Sequence, residues 1–145
     1  MNFFILDDLL MRRLKESVKG VVSLFGAVDM KDVQERSQAA PLVALIYDGY
    51  AVKDTNPGTV QVTQRWAVVV GVHVKDYVEP GMSARQAAGE IVTDVITALQ
   101  GYTPAEYPNV KRMTLAQSGG IYLDAGLLLV PLTFEANVVL SRNLS

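Results

Sequence analysis

The stretch from Thr59 to Val74 constrains the fold more than any other part of the sequence, because apolar side chains recur at nearly every second position along it. Side chains alternate between the two faces of a strand, so this pattern predicts one long strand with a core face and a wetter face. The core face holds Val60, Val62, Gln64, Trp66, Val68, Val70, Val72 and Val74. A strand of this length is about three times the usual one. We therefore expect part of it to extend past its own core.

A second strand is predicted just before the long one, at Leu42–Tyr47. The Asp48-Gly49 pair that follows provides the positive-φ residues of a tight turn or of a bulge, and both readings stay open. Asn56-Pro57-Gly58 fits a type II turn, because proline presets φ and glycine takes the left-handed position. The segment Ala51–Gly58 is therefore predicted to be the projecting tip of a hairpin.

Two amphipathic helices are predicted. The first covers Asn2–Lys19, with Asn2 as N-cap, Gly20 as the end and an apolar stripe at every fourth residue. The second covers Ser83–Leu99, and Ser83 and Gln86 have the spacing of a capping box. Its apolar face is made of Ala84, Ala87, Ala88, Ile91, Val92, Val95, Ile96 and Leu99.

The remaining elements are shorter or less regular. We predict an edge strand at Val21–Phe25, a short helix capped by Asp29 and reaching Gln38, and a loop at Asp76–Met82. A strand at Val110–Gln117, a turn at Ser118-Gly119-Gly120 and one extended segment at Ile121–Leu140 complete the chain.

The last segment carries an ambiguity. Alternate residues from Leu128 to Val138 are apolar and share one face, but Leu127 and Leu129 are apolar on the other face as well. These two leucines are either core residues or contacts with another subunit. Pro131 has no amide hydrogen to donate, which favours an edge or a bulge at that point.

The predicted fold class is α+β: a two-layer sandwich of a mainly antiparallel sheet with the two amphipathic helices packed on one face. The 145 residues suit a single domain, 1–145. A net charge of −2 without a basic tract argues against specific nucleic-acid binding. The absence of cysteine excludes disulfides. Met1–Leu10 lacks the basic start of a signal peptide, and we expect a soluble intracellular protein with no membrane span.

No catalytic constellation is evident. His73 is the only histidine. It could act as a general base only with a partner group, so we favour the interpretation that His73 is a partly exposed residue of the strand without a catalytic role. Glu90 and Asp94 could share a cation on a helix face, but a solvated pair is the simpler interpretation. Trp66 is either core or an interface anchor, and its phase with the valines favours core. We expect no enzyme activity, no metal site and no cofactor.

Two segments carry a resemblance to a known family: Pro41–Tyr50, which reads PLVALIYDGY, and Gln64–Val72, which reads QRWAVVVGV. With the flanking helices they resemble the tail terminator, or tail completion, proteins of long-tailed bacteriophages, most closely the Mu-like branch. The resemblance implies a small α+β subunit that closes into a ring, a hexamer, on the last ring of the tail tube. There it would stop polymerisation and meet the head connector, and in a contractile tail also the sheath protein. It implies assembly in the host cytoplasm, location in the neck region of the virion and passage of DNA through the ring.

The expected contact residues lie on the hairpin tip, on the long strand and in the last segment. They are Lys53, Asp54, Asn56, Pro57, Arg65, His73, Leu127 and Leu129. Two alternatives stay open: an adaptor on the head side of the neck, and a small-molecule-binding or enzymatic α+β domain. The second alternative would need convergent polar groups in a pocket.

Overall fold

A computed structural model describes residues 1–36, 39–77, 83–116 and 119–141 of the chain. In chain order the elements are α1 (Ile5–Ser17), β1 (Ser23–Ala27), α2 (Met30–Glu35), β2 (Leu42–Asn56), β3 (Thr59–His73), a 3-10 helix (Val74–Tyr77), α3 (Ala84–Leu99), β4 (Thr114–Ala116), β5 (Tyr122–Asp124) and β6 (Leu127–Ser141). Within the described residues the strands form one six-stranded sheet in the order β1-β2-β3-β6-β4, with β5 also paired to β6. The pairs are antiparallel except β1 with β2. The predicted α+β class is confirmed.

The long strand is confirmed as β3, which pairs with β6 along its whole length and with β2 from Thr59 to Gly71. With β6 the pairing runs from His73 opposite Leu127 to Thr59 opposite Ser141. The strand ends one residue earlier than predicted, because Val74 begins the 3-10 helix and its amide donates to Gly126 O at 2.9 Å. Val74 is accordingly exposed rather than part of the core face.

Helices α1 and α3 pack on the same face of the sheet, as predicted. Alternate residues of β3 and β6, among them Trp66 and Phe134, contact the apolar stripes of both helices there. The helix residues that are buried in this cluster are Leu6, Leu9, Leu10, Leu14, Ala84, Ala88, Ile91, Val95, Ala98 and Leu99. Full burial of a large apolar side chain stabilises by about 1.5–3 kcal/mol, so this face supplies the main driving force for folding.

A second, smaller cluster lies on the opposite face of the sheet. Val33 of the short helix α2 packs there against strand residues that include Leu127 and Leu129. These two leucines are 2% and 0% exposed, so the ambiguity left by the sequence is settled in favour of the core. Pro131 lies opposite Val69 of β3, between the parts of β6 that pair with β5 and with β4.

Several predicted boundaries were wrong. The first helix begins at Ile5 because the Asn2 side chain accepts a hydrogen bond from the Phe4 amide at 2.8 Å instead of capping the helix. It ends at Ser17, since Val18 is already extended. The edge strand lies at Ser23–Ala27 rather than Val21–Phe25 and is parallel to β2.

The C-terminal part also differs from the prediction. The extended segment at Ile121–Leu140 is two strands, because Ala125 and Gly126 take positive φ values of 50° and 81° and reverse the chain. Within the described residues, the predicted strand at Val110–Gln117 is reduced to Thr114–Ala116 and a single bridge between Val110 and Val138; Gln117 lies outside the described residues.

Other local predictions are confirmed. Ser83 and Gln86 form the reciprocal capping box, and the Asp29 side chain accepts from the Asp32 amide at 2.9 Å. Gly49, at φ 97°, lies in a register shift between Tyr47 and Tyr50, so Asp48-Gly49 is a bulge rather than a turn. The predicted helix end at Gln38, the loop residues 78–82 and Ser118 lie outside the described residues.

Candidate protein interaction surfaces

The sheet extends past its helices as a three-stranded ribbon. We use "the ribbon" for residues 52–56 of β2, 59–61 of β3 and 139–141 of β6; β3 lies in the middle and pairs with both of its neighbours. Residues 51–57 are all exposed, and on the helix-bearing face of β3 burial begins at Val62. At about 3.3 Å per residue the fifteen residues of β3 span roughly 50 Å. Val60 and Leu140 of the ribbon still pack against the core, but its tip, residues 51–57, projects a surface that the core of one subunit does not need.

The predicted contact residues of the hairpin tip lie on this ribbon. Lys53, Asp54, Asn56 and Pro57 are all exposed. Lys53 also lines a depression of about 450 Å³ at the base of the ribbon, together with Arg65 and Glu135. The structure thus brings Lys53 and Arg65 to one place on the sheet.

The charges of this depression partly satisfy one another. Arg65 Nη2 lies 3.9 Å from Glu135 Oε1, and the two side chains are 54% and 40% exposed. An ion pair with that exposure stabilises by at most about 1 kcal/mol. The pair therefore stays available for exchange with a partner's charges.

The other predicted contact residues are not part of that surface. His73 lies at the opposite end of β3 from the ribbon and is half-buried beside Leu127. Leu127 and Leu129 belong to the second cluster, so neither is exposed to a partner in this conformation. The eight candidates therefore do not form one site.

An aromatic cluster that the sequence analysis missed joins the N-terminus to the base of the ribbon. Phe3 packs edge-on against Tyr50 at 5.5 Å between ring centroids, and Phe4 against Tyr47 at 5.0 Å. Phe4 and Tyr50 are 49% and 59% exposed. Trp66 touches Tyr47 at 5.0 Å but is 1% exposed, which confirms it as a core residue rather than an interface anchor.

Tyr47 is the polar group of this cluster that lacks a partner. Its hydroxyl is buried and has no hydrogen-bond partner among the described residues. Burial raises the pKa of the Tyr47 phenol, and the neighbouring Tyr50 raises it further. The Tyr47 hydroxyl is therefore a buried polar group that the described residues leave unsatisfied at the base of the ribbon.

Two further surfaces lie at opposite edges of the sheet. On β5, Tyr122 and Leu123 are 54% and 69% exposed, and Ile121 just before them is 51% exposed. At the other edge, α1 and β1 enclose a groove of about 570 Å³. The sequence analysis missed both, because it had taken β5 as part of a longer core strand and because a groove depends on how α1 sits beside β1.

Groups suited to metal binding are not gathered anywhere in the described residues, where no cluster of three or more His, Asp or Glu side chains occurs. Asp94 was expected to be solvated beside Glu90. Instead it accepts a hydrogen bond from the Lys19 amide at 3.3 Å, which ties the residues just after α1 to α3.

Over the same described residues, none of the helices has the length and apolar character needed to cross a membrane.

These surfaces define an α+β protein whose distinctive features are a projecting ribbon and apolar sheet edges, as in proteins that act through contacts with other proteins. The model of the family described as phage tail terminator protein matches residues 1–144, and the chain belongs to that family. It is therefore a structural protein of the phage tail, part of the virion and in contact with other tail components. The match does not resolve the Mu-like branch. A comparison with curated proteins found no match.

Proposed function

We propose that this protein closes into a ring, a hexamer, on the end of the tail tube, stops the tube from growing and presents a surface to the head connector. The observation that carries the proposal is the difference between the two edges of the sheet. One edge has the groove between α1 and β1, and the other has the exposed apolar strand β5. Unlike edges favour heterologous, head-to-tail contacts, and such contacts end in a ring when the rotation closes.

The ribbon gives the proposed ring a means of reaching its neighbours. It extends the sheet beyond the helices and carries charges of both signs, Lys53 and Asp54, at an exposed position. A strand ribbon of this kind can contact an adjacent subunit, the tube protein or the sheath protein of a contractile tail. The net charge of −2 suits a passage through which DNA moves without adhering.

The decisive test is electron microscopy of tails assembled without this protein. We expect tails of abnormal length that fail to join filled heads, because the growing tube has no cap and no surface for the connector. Supplying the protein in trans is the control and should restore uniform tails. Tails of normal length that join heads in its absence would refute the proposal.

Shortening the ribbon separates folding from assembly. Val52 lies opposite Val62 in the ladder, so joining these two residues by Asn-Gly makes a two-residue hairpin loop. Of the removed residues, 53–57 are exposed and 58–61 are partly buried at the margin of the core. We therefore expect the variant still to fold cooperatively, with a thermal midpoint lowered by several degrees, while incorporation into tails is lost.

The matched control for that variant retains the ribbon and removes its charges, as Lys53→Ala with Asp54→Ala. If both proteins fail to assemble, assembly requires the charges of the ribbon. If only the shortened protein fails, assembly requires the length of the ribbon and not its charges. Normal assembly by the shortened protein would show that the ribbon has no docking role.

A further inference from the structure

We infer that the free edge of β2 at the base of the ribbon binds an extended segment of the tail tube protein as an added strand of the sheet. It rests on the proposed function and assigns the surface that holds the tube. β1 covers the outer side of β2 only as far as Ile46, which lies opposite Ala27. From Tyr50 to Thr55, no group outside β3 hydrogen-bonds to the backbone of β2 among the described residues.

The direction of the backbone groups can be read first on β6. The Lys111 amide donates to Asn137 O at 2.8 Å, and the Val139 amide donates to Asn109 O at 2.9 Å. Asn137 and Val139 therefore direct their backbone groups away from β3. The N–H and C=O of one residue point to the same side in an antiparallel ladder, and successive residues alternate. The residue between them, Val138, thus bonds to β3.

The same alternation fixes the backbone of β2. Val138 lies opposite Val62 of β3, so Val62 uses its backbone groups on β6. Val62 also lies opposite Val52 of β2, and Val52 therefore directs its N–H and C=O to the free side. Tyr50, opposite Gln64, is two residues from Val52 and does the same. Unpaired backbone groups at a spacing of two residues are what an added strand requires.

Other edges of the sheet carry hydrogen bonds that obstruct such pairing. On β1, Gly26 O accepts from Arg36 Nη1 at 3.1 Å. On β4, the Leu115 amide donates to Gln100 Oε1 at 2.7 Å. Native proteins commonly cover or block their edge strands against other chains. The edge at Tyr50 and Val52 lacks such a cover within the described part of the chain.

The side chains beside this edge define the chemistry of the segment that binds. On the helix-bearing side, Phe4, Tyr50 and Val52 are 49%, 59% and 57% exposed. The hydroxyl of Tyr47, whose ring packs against Phe4, has no hydrogen-bond partner among the described residues. On the other side lies the charged depression that Lys53 lines. Since paired residues of neighbouring strands share a face, we expect a segment whose side chains alternate between apolar and polar.

A neighbouring copy in the ring does not bring such a strand to this edge. β5 also has an uncovered outer side among the described residues, but its Tyr122 pairs with Leu129, which lies opposite Gly71. The part of β3 from Val62 to Gly71 spans roughly 30 Å at about 3.3 Å per residue. Copies in a ring stand at the same height, so with strands along the ring axis the β5 of one copy is far from Val52 of the next. The occupant is therefore another protein, and the proposed function seats this one on the tube.

Val52→Pro tests the pairing, because proline removes an outward N–H without removing a hydrogen bond of the sheet. The matched control is Val52→Ala, which keeps the N–H, and we expect the two variants to have similar thermal midpoints. Binding is measured by cosedimentation with tubes isolated from a lysate that lacks this protein. Val52→Pro should bind about tenfold or more weakly than Val52→Ala, since a carbonyl of the tube protein loses its donor.

Ala51→Pro is the contrasting variant. Ala51 lies opposite Thr63 and directs its N–H to β3, so proline there breaks a bond of the sheet and should lower the thermal midpoint well below that of Val52→Pro. Hydrogen exchange adds a measurement on the parent protein. The amides of Tyr50 and Val52 should exchange rapidly in solution and become protected on tubes.

The outcomes separate this inference from the proposed function. Equal binding of Val52→Pro and Val52→Ala to tubes would overturn the strand pairing and leave the ring on the tube standing. Unfolding of Val52→Pro would overturn it as well, because Val52 would then bond within the sheet. Protection of the two amides in concentrated protein without tubes would assign the edge to a second copy, and protection only on the head connector would assign it to that protein; either result contradicts the inference. Failure of the parent protein to bind tubes would sink the proposed function and this inference with it.

Discussion

Val95→Asp is expected to leave the protein unfolded at room temperature. Val95 is 0% exposed and lies in the middle of α3, within the cluster that joins the helix to Trp66 and Val70. A carboxyl group placed there loses its hydration without gaining a partner, which costs several kcal/mol whether the group is charged or becomes protonated. Since a domain is stable by only about 5–15 kcal/mol, we expect circular dichroism to show loss of the cooperative transition.

Two variants of the same helix make this result interpretable. Thr97→Asp introduces the same group at an exposed position two residues away and should change stability by about 0.5 kcal/mol or less. Ile91→Ala, at a side chain 6% exposed, should cost about 2–5 kcal/mol through the cavity it leaves. A melting curve of Val95→Asp like that of the parent would mean that α3 does not pack on the sheet through this face.

The long strand and its helices could be predicted because one periodicity dominates each of them. Along β3, alternate burial requires alternate apolar residues, and no competing interaction obscures that pattern. The capping box at Ser83 and the apolar face of α3 follow in the same way from local hydrogen bonding and a 3.6-residue period. These features depend on interactions between residues close together in the sequence, so the sequence of one chain is enough to predict them.

The candidate surfaces were less predictable because they depend on contacts distant in sequence. Ala125 takes a positive φ that alanine rarely adopts, so the turn that separates β5 from β6 has no strong sequence signal. The parallel pairing of β1 with β2 places α1 beside an edge strand, and only that arrangement creates the groove. The sequence left Leu127 and Leu129 available for contacts with another subunit, because it does not reveal that α2 covers their face of the sheet.

Gln64 tests whether a buried polar network holds the N-terminus to the sheet. It is 0% exposed in the otherwise apolar core face of β3. Its Nε2 donates to Phe3 O at 2.7 Å, and its Oε1 accepts from Trp66 Nε1 at 3.1 Å. The amide therefore satisfies the buried indole N–H of Trp66 and a partly buried backbone carbonyl.

Gln64→Leu keeps the size of the side chain and removes both hydrogen bonds, so it is expected to destabilise by about 2–4 kcal/mol. Each buried group left unpaired costs about 1–3 kcal/mol, and the added apolar burial offsets part of that sum. The measurement is urea unfolding followed by circular dichroism, because Trp66 is the only tryptophan and its own replacement would remove the fluorescence signal. Unfolding of Gln64→Leu at the parent's urea midpoint would contradict the expectation.

A double-mutant cycle with Trp66→Phe assigns the cost to its source. Trp66→Phe removes the indole N–H that Gln64→Leu leaves without an acceptor, so the double variant should lose less stability than the sum of the single variants. The difference should be about 1 kcal/mol or more, since it equals the penalty of one unpaired buried donor. Strict additivity would mean that the indole N–H finds another acceptor, and that Gln64 acts mainly through its bond to the Phe3 carbonyl.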